Sequence, residues 1–99
     1  MTVLAEVVDP DGRRVELTAE RWAHILDEHE EMAAHRDAVL ATIAAPGYRR
    51  PDPRPQRERY WRRGLGPSRW LLAVIDFGTT PARIVTAYGN RKDPPGWTP

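Results

Sequence analysis

Three short runs in the second half of the chain, "RERYWRR" (57–63), "RWLLAVIDF" (69–77) and "ARIVTAY" (82–88), are separated by turns around Gly64-Leu65-Gly66-Pro67 and Gly78-Thr79-Thr80-Pro81. Runs rich in β-branched and aromatic residues between Gly/Pro clusters read as strands. Connections this short join antiparallel neighbours only, because a parallel crossover needs a dozen or more residues. An antiparallel sheet is therefore the first constraint on the fold. Period-two alternation also assigns faces. On the first strand Arg57, Arg59 and Trp61 oppose Glu58, Tyr60 and Arg62, and on the last Ile84, Thr86 and Tyr88 oppose Arg83, Val85 and Ala87.

The first half supplies different elements. "VLAEVVDPDGRRVELT" (3–18) reads as a hairpin whose Asp11-Gly12 pair suits a tight turn. Thr18 offers an N-cap hydroxyl and Glu20 favours a first helical turn, so a helix is expected from about Ala19 to Met32. Its wheel gathers Trp22, Ile25, Leu26, His29 and Met32 in one stripe, the pattern of a helix laid on a sheet. His24 falls on the polar side near Glu28, so the two imidazoles are not expected to converge. A second helix is read from "HRDAVLATIAA" (35–45), ending before Pro46-Gly47. In "YRRPDPRPQR" (48–57) the prolines point to an exposed basic loop. Residues 93–99 read as an irregular tail from which Trp97 can dock back.

The expectation is a single α+β domain over residues 1–99, with its core between about 15 and 92. In it an N-terminal hairpin and one or two helices pack on an antiparallel sheet of about three to five strands. No stretch is apolar and long enough for a bilayer span, so no membrane partner is expected. The apolar run Val3 to Val8 is broken by Glu6, which argues against a removable signal. With no cysteine, disulfides and thiolate ligands are excluded, and a cytoplasmic setting is expected.

Charge divides along the chain. Residues 1–47 carry four Arg against ten Asp/Glu, and residues 48–99 carry eleven Arg/Lys against four acids. All but Lys92 of these cations are arginines, the side chain that grips phosphate in a bidentate fork. A metal site is not expected. A zincin helix needs His at i and i+4, whereas His24 and His29 stand five apart and His29 and His35 six apart. No Gly-rich phosphate loop, Ser elbow or Cys nucleophile is present, and no cofactor is expected.

What remains is histidine, arginine and hydroxyl. That set suits cleavage of RNA by its own 2′-OH, which needs a base for the 2′-OH, an acid for the leaving 5′-oxygen and cations for the crowded phosphate. Imidazole serves as either acid or base near neutrality. Arg49, Arg57, Arg62, Arg83, Tyr88 and Lys92 are the expected contacts for the rest of an RNA strand.

Together, "LTAERWAHILDEHEEM", "ATIAAPGYRR", "RERYWRR", "WLLAVIDF" and "RIVTAY" resemble the phage-associated PBECR branch of the barnase/EndoU/colicin/RelE-like nuclease superfamily, in the same order, from about Val15 to Lys92. The resemblance implies helices followed by an antiparallel sheet, and metal-independent RNase activity as a toxin or as a phage or mobile-element effector. It implies RNA as partner, free or on the ribosome, and a cognate antitoxin or immunity protein. By position it puts the helix histidines at His24 and His29, the strand arginine and aromatic at Arg59 and Tyr60, and the last-strand hydroxyl at Thr86. The chain departs from the family in having Glu30 where proline usually follows the second histidine, and in its proline-rich insert.

Plainer readings stand beside these. His29 in an apolar stripe also fits a hydrogen-bonded core histidine, and His24 with Glu28 an ordinary solvated helix pair. Arg57, Arg59, Arg62 and Arg63 also fit a charge guard on an edge strand. The rival to an enzyme is a non-catalytic RNA- or protein-binding module of the same fold.

Overall fold

The computed structural model describes residues 2–99. Strands β1 (Val3–Val8) and β2 (Arg14–Thr18) form the N-terminal hairpin, followed by helix α1 (Ala19–Glu28), a 3-10 helix (Glu30–Ala34) and helix α2 (Arg36–Ala44). Strands β3 (Tyr48–Pro51), β4 (Arg57–Arg63), β5 (Trp70–Asp76) and β6 (Ala82–Asn90) complete the chain. All six strands join one sheet in the order β1-β2-β6-β5-β4-β3.

The α+β class and the antiparallel β4–β5–β6 meander agree with the sequence reading. The sheet is larger than the expected three to five strands, and it is mixed, because β2 pairs with β6 in parallel. The basic segment after α2 is also not all loop. Tyr48–Pro51 pairs with β4 as an edge strand, where a terminal proline needs no donor for a neighbour.

Local chemistry explains the starts and stops. Gly12 takes a positive φ of 82° in the hairpin turn. Thr18 is extended at φ −89° and its hydroxyl accepts from the Arg21 N–H at 3.1 Å, capping α1. The expected run to Met32 is interrupted, since α1 ends at Glu28 and His29 leaves helical geometry at φ −138°, ψ 69°. Tertiary packing overrides propensity there, because Met32 must still reach the core and does so from the tighter 3-10 turn.

The helices cover one face of the sheet. Ile25, Met32, Val39 and Ile43 are fully buried there against Leu71, Ala73 and Ile75 of β5 and Ile84 and Ala87 of β6. Burying each large aliphatic side chain contributes roughly 1.5–3 kcal/mol. The opposite face carries a smaller cluster of Trp61, Trp70 and Leu72, flanked by Tyr48 and Tyr88. Trp97 returns from the tail to meet Trp70 edge-on at 5.2 Å. Among the described residues no helix is long and apolar enough to cross a membrane.

Candidate active site

The site arises where two strands part. β2 pairs with β6 only at Val15–Ala82 and Glu16–Arg83, after which the chain turns into α1. The rest of that β6 edge is left for the helix, and the Arg21 guanidinium donates to the Val85 carbonyl at 2.7 Å. Val85 is the extra residue of a β-bulge, since Val74 pairs with Thr86 but Ile75 pairs with Ile84. Bulges re-aim side chains. Here Ile84 turns into the core beneath the helices, correcting the expectation that it shares a face with Thr86 and Tyr88. Arg83 pairs with Asp76, and so comes to the Thr86 face rather than opposing it.

A groove of about 620 Å³ results on the face away from the helical core. Arg21, His24, Glu28 and His29 form its helical wall, and Arg57, Arg59, Thr86 and Tyr88 rise from the sheet. Asp52 and Arg54 close it from the proline-rich loop. The two histidines therefore line one groove, contrary to the wheel. A wheel assumes continuous helix, and His29 lies one residue beyond the end of α1.

His29 is half-buried, its ring stacked on Tyr88 with centroids 4.9 Å apart and planes at 26°. Its Nδ1 lies 3.8 Å from Glu31 Oε1. His24 is more exposed, with Nε2 3.1 Å from Glu28 Oε1 one turn along. Arg59 donates from Nε to Asp52 Oδ1 at 2.6 Å, and the Asp52 side chain is only 8% exposed. Burial pushes the Asp52 carboxyl up. The Arg59 bond, the Arg54 N–H at 2.9 Å and the nearby Arg57 charge outweigh that and hold it below the usual range. Because only Nε is engaged, the terminal Nη pair of Arg59 has no partner among the described residues. Arg54 and Arg57 have no carboxylate partner among them either. Thr86 Oγ1 and Arg21 Nε are buried without a hydrogen-bond partner, a state that costs free energy and calls for an explanation.

Several expected residues lie elsewhere. Tyr60 points to the helical side, fully buried, as alternation away from Arg59 requires. Its hydroxyl donates to Asp9 at 2.6 Å and accepts from Arg13 at 2.9 Å. Burial first, then the Asp9 carboxylate, push its phenol well above the ordinary range, so it stays protonated. Arg49 lies over the Tyr60 ring and ion-pairs with Asp11 at 2.6 Å. Arg62 donates to the Ala41 carbonyl of α2 at 3.3 Å. Lys92 is exposed near the tail, away from the groove. Arg83 adjoins the groove through a neighbouring hollow.

The sequence reading passed over Arg21, Asp52 and Arg54. Arg21 could have been found from the wheel, since it stands one turn before His24 on the same side of α1. Asp52 carried the weaker signal of a lone acid in a basic stretch. Among the described residues no three His, Cys, Asp or Glu side chains gather where they could hold a metal ion. The groove combines two imidazoles, guanidinium groups in excess over carboxylates and an unpartnered hydroxyl, a set able to hold a phosphate and exchange protons beside it. No family model, curated protein or solved structure matches this chain.

Proposed function

We propose that the protein is a metal-independent endoribonuclease that cleaves RNA by attack of a 2′-OH on the adjacent phosphate. The observation that carries this reading is the meeting of His24, His29, Arg57, Arg59 and Thr86, from a helix wall and two separate strands, in one groove. One imidazole takes the 2′-OH proton while the other donates a proton to the departing 5′-oxygen. The unengaged Nη pair of Arg59 and the guanidinium of Arg57 stabilise the charge gathering on the non-bridging oxygens. The Thr86 hydroxyl, without a partner inside the protein, supplies a further donor when its rotamer turns toward the phosphate. Tyr88 holds the His29 ring in place. Tyr60, Arg49, Arg62 and Lys92 have no part in this chemistry. A toxin or mobile-element effector with a cognate antitoxin is the setting the sequence resemblance suggests.

Purified protein should cut single-stranded RNA in EDTA and leave 2′,3′-cyclic phosphate ends, while DNA of the same sequence, lacking the nucleophile, survives. Ribosome-bound RNA is the second substrate to present. A requirement for added Mg²⁺, or equal cutting of DNA, defeats the mechanism.

One observation favours a second reading, a groove that binds RNA or a protein without cutting. Arg59 is already paired with Asp52, and His24 with Glu28. Tight, salt-sensitive RNA binding with no cleavage of free or ribosomal RNA selects it.

A further inference from the structure

Beside the groove lies a hollow of about 180 Å³. Arg21 from α1, Arg57 from β4 and Arg83 from β6 converge on it. Arg21, Arg57 and Val85 also line the groove, so the two spaces adjoin. Among the described residues the only carboxylate in the lining is Asp76, which stands directly across the strands from both Arg57 and Arg83. Asp76 Oδ1 is engaged by the Gly78 N–H at 2.7 Å, and neither Arg57 nor Arg83 ion-pairs with it among the described residues. Arg21 spends one nitrogen on the Val85 carbonyl and leaves Nε buried without a partner. Three arginines thus line the hollow with one carboxylate, whose Oδ1 is already engaged by a backbone N–H.

We infer that this hollow is a second phosphate subsite, which takes the phosphate next to the scissile one along the same RNA strand. The inference rests on the RNA reading of the groove and extends it to the substrate, an oligonucleotide rather than a dinucleoside monophosphate. Every nucleotide brings a phosphate, so a strand seated on Arg59 delivers its next phosphate to the adjoining arginines. The Val85 bulge builds the subsite, because it brings Arg83 to the groove face and presents the carbonyl that anchors Arg21. Arg57, at the junction, serves both phosphates.

The test uses the full chain and two uncleavable probes, a 2′-O-methyl dinucleoside monophosphate and a 2′-O-methyl tetranucleotide, with affinity measured across a salt series. For the tetranucleotide, Arg83→Gln should weaken binding about tenfold at low salt. It should also lower the log–log salt slope by about 1, the signature of one lost phosphate contact. Arg83→Lys should keep the slope. For the dinucleoside monophosphate the slope should not move with either variant. If wild-type protein binds the tetranucleotide but Arg83→Gln leaves its slope unchanged, or lowers both slopes alike, the subsite is refuted while the groove reading stands. If wild-type protein neither binds the probes nor cuts RNA, the groove reading falls and takes the subsite with it.

Discussion

The imidazole of His29 lies against the phenol ring of Tyr88, centroids 4.9 Å apart and planes inclined by 26°. The stack joins the first residue beyond α1 to the C-terminal part of β6, and so fixes the aim of a side chain that the helix itself no longer holds. His29→Gln keeps volume and hydrogen bonding but removes proton transfer near neutrality, and should lower cleavage roughly 10²–10⁴-fold. His24→Gln, at the more exposed position, should lose less. Tyr88→Leu should leave His29 chemically intact but misaimed, costing up to about 10²-fold in rate. Single-turnover cleavage of a labelled oligonucleotide measures all three, and normal rates in both histidine variants would remove the imidazoles from the mechanism.

Arg59 has two roles that can be separated. Replacing it with Ala removes a phosphate donor, expected to cost about 10²–10³-fold in turnover. It also strips the nearly buried Asp52 of its charged partner, leaving only the Arg54 N–H, expected to cost about 1–3 kcal/mol of stability. The double variant Asp52→Asn/Arg59→Ala should recover most of the stability and none of the turnover. Denaturant melts and cleavage rates on wild type, Arg59→Ala, Asp52→Asn and the double variant decide this, and recovery of turnover in the double variant contradicts the assignment.

Tyr60 should matter to folding alone. Its hydroxyl belongs to a network in which Arg13 joins Asp9 at 2.8 Å and Glu58 at 2.8 Å, tying the β1–β2 turn to β4 across 45 positions of chain. Tyr60→Phe leaves the buried Asp9 short of a donor, and should lower stability by about 1–3 kcal/mol. Cleavage below the melting transition should be unaffected. A large loss of rate in a folded Tyr60→Phe protein would return Tyr60 to the catalytic set.

Acid should unfold the protein through three carboxylates. Burial raises Asp9, but bonds from Tyr60 and Arg13 more than reverse it. Arg13 is the main cause that lowers Glu58, and Asp52 is lowered despite its burial. All three bind protons more weakly folded than unfolded. Their contribution is therefore complete above the ordinary carboxylate range of about 3.9–4.3 and is lost as pH falls through that range toward each lowered folded value. Thermal melts should show a plateau near neutrality and a fall below about pH 4. A melting temperature that holds level through that acid range would contradict the network.

The sequence by itself determined the meander, the N-terminal hairpin and the cap at Thr18, because alternation, turn chemistry and capping act between neighbours in the chain. It also placed Arg57, Arg59, Thr86 and the histidines among the candidates by residue type. It was wrong about the company they keep where tertiary structure intervened. Strict alternation put Ile84 with Thr86 and set Arg83 against them, and one inserted residue at Val85 reversed both. A continuous helical wheel separated His24 from His29, and the end of α1 at Glu28 brought them to one groove. The family resemblance joined Arg59 with Tyr60, although period-two alternation along the strand had already set them on opposite faces. The parallel joining of β2 to β6, the Asp52–Arg59 pair and the Arg13 network link segments that only packing brings together. Local rules decide which elements form, and long-range contacts decide which faces those elements turn toward one another.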